Sequence, residues 1–112
     1  MSAPRLELWQ TEWCPASRRV RQRLTELGLD VVLRQVPVEP CARWELERQT
    51  GVSTIPVLRV DGEAVVGEER ILAALDERFL EPSEAGAQRE KASKARRKDL
   101  ETACRQLEAA TR

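Results

Sequence analysis

The sequence contains no histidine and no tyrosine, and its 112 residues include one phenylalanine and three tryptophans. Without histidine, a His-ligated metal site and a Cys–His catalytic pair are excluded. No apolar run approaches the roughly 18 residues that a transmembrane helix requires. The opening residues, MSAPRLEL, lack the charged and apolar regions of a signal peptide. We therefore expect a cytoplasmic protein with no membrane partner.

Cysteine is also scarce, because the chain has only Cys14, Cys41 and Cys104. An odd number of widely spaced cysteines is unlike the disulfide framework of a secreted protein, so free thiols are expected.

The formal net charge is zero, which excludes a protein that binds polyanions through a large positive net charge. The charge is nevertheless unevenly distributed along the chain. Residues 1–81 are net acidic and contain no lysine, whereas residues 82–112 are net basic. The change falls where Pro82, Ser83 and Gly86 interrupt the pattern. We therefore predict one domain over 1–81, followed by a linker and a basic C-terminal helix over 82–112.

Hydrophobic periodicity predicts the element order β-α-β-α-β-β-α within the first domain. The predicted strands cover residues 5–10, 30–36, 55–60 and 63–66, and an Asp61-Gly62 turn joins the last two. The first two strands, separated by a helix, favour parallel pairing with a right-handed crossover. The hairpin adds two antiparallel strands, so the fold class is α/β with a mixed four-stranded sheet.

Two helices are predicted between these strands and a third after the last of them. The first begins at Pro15 and ends at Gly28, and the second lies between Pro40 and Gly51 with Trp44 as its core anchor. The third follows Gly67, and its apolar stripe consists of Ile71, Leu72, Leu75 and Phe79.

The segment from Gln88 to Arg112 is rich in good helix formers and predicts an added C-terminal helix. Leu100 and Leu107, with Ala103 or Cys104 and Ala110, form a narrow apolar stripe. This stripe would lie on the domain or on a partner chain, so a homodimer through the helix is one alternative. Residues 94–100, KARRKDL, would suit nucleic acid or a solvated face, and the lack of aromatics favours the solvated face.

Cys14 is the candidate reactive residue, since it lies between the first strand and Pro15. Unpaired N–H groups and the dipole at a helix N-terminus favour a thiolate, and Arg18 and Arg21 would add positive potential. The alternative is a buried cysteine that fills space in the core. The junction lies at the carboxyl end of the sheet, where α/β proteins keep their sites, and this favours the reactive thiol.

Three motifs resemble the glutaredoxin family: WCPAS at 13–17, STIPVL at 53–58 and GEER at 67–70. They resemble even more the small proteins built on the amino-terminal domain of glutathione transferases. The resemblance covers residues 5 to about 80 and implies a thioredoxin-like fold.

The resemblance also implies roles for individual residues. Cys14 corresponds to the nucleophile, and Pro56 to a proline that follows a cis peptide bond beside it. Ile55 would present its backbone to an extended tripeptide, and Glu68 and Glu69 would bind the γ-glutamyl end of glutathione. The full implied site comprises the motif residues Trp13, Pro15, Ala16 and Ser17 and the thiol-binding residues Thr11, Thr54, Ile55, Pro56, Glu68 and Glu69. The alternatives are an ordinary strand-edge proline at Pro56 and plain helix capping by the two glutamates.

The chain also departs from the family pattern. Ser17 stands where dithiol relatives have their second cysteine, Thr11 where a basic residue is common, and Ala16 where an aromatic residue is usual. Cys41 follows Pro40 at the expected start of the second helix, so it would resolve a mixed disulfide or be an isolated cysteine. Cys104 is expected to be a packing residue.

The function implied is that of a monothiol thiol–disulfide oxidoreductase acting through Cys14. Its co-substrate would be glutathione or another low-molecular-weight thiol, with no metal. Its substrates would be glutathionylated or disulfide-containing proteins or small molecules. One alternative is a non-catalytic binding or regulatory module of the same fold. Another is iron–sulfur binding, although Pro15 stiffens a loop where monothiol cluster-binding relatives usually have glycine.

Overall fold

Four strands form a mixed sheet in the computed structural model, which describes residues 3–111. The strands are β1 (Leu6–Gln10), β2 (Val32–Gln35), β3 (Val57–Val60) and β4 (Glu63–Val66). Their order across the sheet is β2-β1-β3-β4. The β1–β2 pair is parallel, and the β1–β3 and β3–β4 pairs are antiparallel. The predicted mixed sheet is therefore confirmed.

The helices are α1 (Pro15–Glu26), α2 (Trp44–Thr50), α3 (Glu68–Arg78) and α4 (Ala85–Thr111), with a 3-10 turn at Pro40–Ala42. Helix α1 begins at the predicted proline, and Gly28 beyond its end has a φ of 66°. The predicted element order, including the added C-terminal helix, is confirmed.

The two faces of the sheet are covered by different helices. Helices α1 and α3 pack on one face around Leu8, Val20, Leu58 and Ile71, each of which has a relative exposure of 0%. On the other face, Leu46 of α2 packs with Trp9 and Val57. This division follows from the alternation of side chains along β1 and β3.

The second helix differs from its prediction in two ways. Helix α2 starts at Trp44, and Pro40–Ala42 forms a separate 3-10 turn. Trp44 is 71% exposed, so the prediction that it anchors the core was wrong. Leu46, two residues further along the helix, is 1% exposed and instead packs against Trp9 and Val57 of the sheet.

Helix α4 begins inside the predicted linker, and its first turns pack on α1. Ala85 is buried, and Arg89 pairs with the buried carboxylate of Glu26 at 3.1 Å and with Glu81. Arg23 also pairs with Glu26, at 2.9 Å. Residues 97–111 are exposed, including the stripe Leu100, Cys104 and Leu107. The expectation that Cys104 packs was therefore wrong, because the docked part of α4 precedes it.

None of the helices in the described range is long and apolar enough to cross a bilayer.

Candidate active site

Cys14 occupies the N-cap position of α1. Its backbone is extended, with φ −77° and ψ 117°, and Pro15 is the first helical residue. The sulfur accepts a hydrogen bond from the Ser17 main-chain N–H at 3.4 Å. The thiol therefore occupies the position where a serine or aspartate oxygen usually caps a helix.

The environment of Cys14 favours its thiolate. Partial burial raises the pKa of the thiol, but the Ser17 and Ala16 groups and the positive charge of Arg19 outweigh that effect, so the pKa is lowered from its ordinary value. The Ser17 side chain lies close to the sulfur and helps to lower the pKa of the thiol. Its buried Oγ nevertheless has no hydrogen-bond partner within residues 3–111. A thiolate is the reactive form of cysteine in nucleophilic attack.

Arg19 supplies positive charge near Cys14, whereas the contribution expected of Arg18 and Arg21 stays a prediction. Arg19 extends from α1 to the start of α3, where its Nη2 donates to Glu68 Oε2 at 2.8 Å and its Nε donates to Oε1. Arg21 instead donates to Gln10 Oε1 and to the Thr11 carbonyl, and it pairs with Glu12. Neighbouring arginines on one helix point in different directions, so their roles differ.

Glu68 and Glu69 begin α3, as predicted, but only Glu68 has a partner of opposite charge in the described range. The hydrogen bond from Arg19 holds the pKa of the Glu68 carboxyl below its usual value. Glu69 is exposed. Gly67 is the N-cap residue of the helix, with a positive φ of 92°, and its N–H donates to the Pro56 carbonyl at 3.1 Å. The Pro56 loop and the start of α3 are thus joined directly.

The Ile55–Pro56 peptide bond is cis. Pro56 is buried, Ile55 is half-buried against the cluster around Trp9 and Leu46, and Thr54 is exposed. The loop before β3 is therefore fixed on one side by the core and open to solvent at Thr54.

Thr11 is buried, and within residues 3–111 its Oγ1 has no hydrogen-bond partner. Its carbonyl accepts from the Cys14 N–H at 3.4 Å and from Arg21 at 3.2 Å. The main-chain carbonyl of Thr11 therefore stabilises the loop that carries Cys14.

The remaining motif residues differ in exposure. Trp13 is 61% exposed and Pro15 is exposed, whereas Ala16 is half-buried and Ser17 is fully buried. Trp13, the residue before Cys14, therefore presents apolar surface to solvent.

Arg43 is a site-shaping residue that sequence reasoning missed. It is 6% exposed, and its guanidinium donates to the carbonyls of Pro37 at 2.8 Å, Val38 at 3.1 Å and Ser53 at 3.1 Å. These bonds tie the loop after β2 to the segment that leads into Thr54 and Pro56. Nothing in the sequence distinguishes this arginine from the exposed ones.

Cys41 lies in the 3-10 turn and is exposed, and its thiol is free. Because α2 starts at Trp44, three residues later, the expected position of Cys41 at the start of that helix was wrong. In residues 3–111, no group of three or more cysteine, aspartate or glutamate residues is arranged to hold a metal ion.

A family model described as glutaredoxin matches residues 6–65 of the chain. A glutaredoxin of Pseudomonas aeruginosa is 34% identical over 73 residues, which is 65% of this chain and 86% of that protein. Residues 6–65 contain the Cys14 motif, the Pro56 loop, helices α1 and α2, and the strands as far as β4.

Solved structures of glutathione transferases share the fold. A transferase family member from Pseudomonas fluorescens with bound glutathione is 28% identical, with a TM-score of 0.62, and the match covers 69% of this chain and 40% of that one. Rice GST1 in complex with glutathione is 24% identical, with the same TM-score, and the match covers 78% and 40%. The chain therefore has a thioredoxin-like fold and spans about 40% of the length of these transferases.

Proposed function

Because this chain belongs to the glutaredoxin family, we propose that it is a monothiol thiol–disulfide oxidoreductase that acts through Cys14. The observation that carries the proposal is the Cys14 sulfur at the N-cap of α1, where the Ser17 N–H and Arg19 favour the thiolate. The co-substrate is glutathione or another low-molecular-weight thiol. Transferase neighbours with bound glutathione support this choice.

The reaction consists of two thiol–disulfide exchanges. The Cys14 thiolate attacks the glutathione sulfur of a mixed disulfide, and the substrate leaves as a thiolate that takes up a proton. The thiolate of a second glutathione then attacks the sulfur of glutathione bound to Cys14. This step forms oxidised glutathione and restores the Cys14 thiolate. Ser17 has no sulfur, so it cannot form a disulfide with Cys14 in place of the second glutathione.

The groups around Cys14 have distinct roles in this mechanism. The Pro56 loop and Thr54 would hold the extended tripeptide, and the N–H groups at the start of α3 would bind its γ-glutamyl carboxylate. Glu68 would bind the γ-glutamyl amine while it remains paired with Arg19. Trp13 would cover the apolar part of the bound thiol. Since the reaction consumes reduced thiol, we place the protein in the cytoplasm.

A non-catalytic module of the same fold is the second candidate. It is favoured by Thr11, which is buried at a position where a basic residue is common in the family. Such a module would bind glutathione or a peptide without exchange.

Mass spectrometry after incubation with oxidised glutathione distinguishes the two candidates. Exchange predicts a single adduct on Cys14, its loss in Cys14→Ser, and turnover of a glutathionylated peptide with reduced glutathione. Binding without an adduct would favour the module. A Cys104→Ser variant controls for reaction of the exposed thiol on α4.

We also propose a homodimer through α4, which the exposed Leu100 and Leu107 support. Sedimentation of the full chain should show a dimer that Leu100→Glu with Leu107→Glu converts to a monomer. A monomeric parent chain would refute it.

A further inference from the structure

Helices α1 and α4 enclose an open groove that starts one helical turn beyond Cys14. The groove consists of two adjoining cavities of about 400 and 450 Å³. Both are lined by Arg18, Gln22 and Glu26 of α1 and by Arg96 of α4. The Arg96 guanidinium donates to Gln22 Oε1 and so connects the two walls.

The groove carries positive charge that the protein itself does not neutralise. Glu26, an acidic residue that lines the groove, is paired with Arg23 and Arg89. In contrast, no carboxylate within residues 3–111 forms an ion pair with Arg18, Lys91 or Arg96, and all three are exposed. An unpaired cluster of this kind attracts an anionic partner and raises its association rate.

The groove is also at a suitable distance from the reactive sulfur. At about 1.5 Å per helical residue, Arg18 lies about 6 Å along α1 from Cys14, and Gln22 about 12 Å. An extended peptide advances about 3.3 Å per residue. A substrate chain whose mixed disulfide is presented to Cys14 would therefore bring the second to fourth residues from its cysteine beside Arg18 and Arg96.

We propose that this groove docks an acidic segment of the protein substrate whose mixed disulfide is reduced at Cys14. The inference rests on the proposed function and names its substrate class: glutathionylated proteins with aspartate or glutamate within about four residues of the modified cysteine. The acidic side chains contact Arg18, Lys91 and Arg96, while the Pro56 loop holds the glutathione part. The lining residues within 3–111 include no aromatic ring on which a base would stack, which disfavours nucleic acid.

The test compares two glutathionylated peptides of equal length that differ only in their flanking residues. One carries glutamates at the second to fourth positions from the cysteine, and the other carries glutamines. We expect kcat/KM to be about 3- to 10-fold higher for the acidic peptide at low salt, since each exposed charge pair contributes modestly. The ratio should fall towards one in Arg18→Gln with Arg96→Gln, and also at high salt. Arg97→Gln, which removes a cation lining a different cavity of α4, should keep the ratio.

Outcomes of this test separate the inference from the proposed function. If the parent protein does not turn over the neutral peptide or a small glutathionylated disulfide, the proposed function is overturned. Equal turnover of both peptides by an active enzyme would overturn the groove assignment alone. The protein could also bind a single-stranded oligonucleotide, with weaker binding in the double variant, and show no preference for the acidic peptide. That result would overturn the groove assignment in favour of a nucleic-acid site.

Discussion

Arg19 pairs with Glu68 between α1 and α3, with one hydrogen bond of 2.8 Å from Nη2 to Oε2 and a second from Nε to Oε1. The pair holds a positive charge close to Cys14 and keeps a carboxylate at the start of α3. The two predicted parts of the site, the Cys14 motif and the GEER motif, are therefore coupled by one ion pair.

Replacement of Arg19 by glutamine should raise the pKa of Cys14, because the nearby positive charge that favours the thiolate is lost. The rate of alkylation against pH measures this, and its inflection should move to higher pH. Arg18→Gln is the matched control on the same helix and should leave the inflection close to that of the parent. An equal shift in both variants would mean that general helix charge, rather than the Arg19 position, controls the thiol.

Ser17→Ala tests the hydroxyl next to the sulfur. The main-chain bond from residue 17 to Cys14 remains, while the side-chain contribution to the lowered pKa is removed. We expect a higher Cys14 pKa and slower deglutathionylation below that pKa, with rates approaching those of the parent at high pH. An unchanged alkylation profile would assign the lowered pKa to the main chain and Arg19 alone.

Cys41→Ser should leave deglutathionylation nearly unchanged, whereas Cys14→Ser should abolish it. Cys41 lies in a separate 3-10 turn, and the main chain around it is held by Arg43. A disulfide requires Cα atoms within about 7 Å. Peptide mapping of the oxidised protein checks the expectation, and a Cys14–Cys41 bond would overturn the monothiol mechanism.

Glu26→Gln should lower the free energy of unfolding at pH 7 by about 1–3 kcal/mol, between the values for exposed and buried ion pairs. Burial raises the pKa of this carboxyl, but bonds from Gln22, Arg23 and Arg89 outweigh it and leave the pKa lowered. Its stabilisation is therefore present above the unfolded carboxyl pKa and disappears as the pH falls through the lower folded value.

Urea unfolding at pH 7 and at pH 3 measures this dependence on Glu26. The difference between parent and variant should shrink at the lower pH. Glu90→Gln, which removes an exposed pair with Lys94, should change stability by less than about 1 kcal/mol. Equal losses in the two variants would contradict a specific role of Glu26 in docking α4 on α1.

Leu46→Ala should destabilise the protein by about 2–5 kcal/mol, because it removes a buried side chain that packs between α2 and the sheet. Trp44→Ala should have a much smaller effect, since Trp44 is 71% exposed. Thermal or urea unfolding of both variants measures the contrast. A larger loss for Trp44→Ala would mean that the indole, and not Leu46, anchors the helix.

The sequence by itself determined the order of the elements and the place of Cys14 at a helix start. Alternating apolar residues in β1, Pro15 at the start of α1 and the Asp61-Gly62 turn act through local backbone preferences. Such preferences depend on neighbouring residues, so they can be read from the sequence. The family motifs added the expected roles of Pro56 and Glu68, which local preferences alone do not assign.

Only the tertiary structure decided which side chains meet. It distinguished Arg19 from Arg18 and Arg21, because the rotation of α1 against α3 determines which arginine reaches Glu68. It exposed Trp44 and buried Leu46, since residues two apart on a helix lie on opposite sides of it and only one side faces the sheet. It also docked α4 through Glu26 and placed Arg43 beneath two loops. These contacts join residues distant in sequence, and their geometry depends on how the helices pack on the sheet.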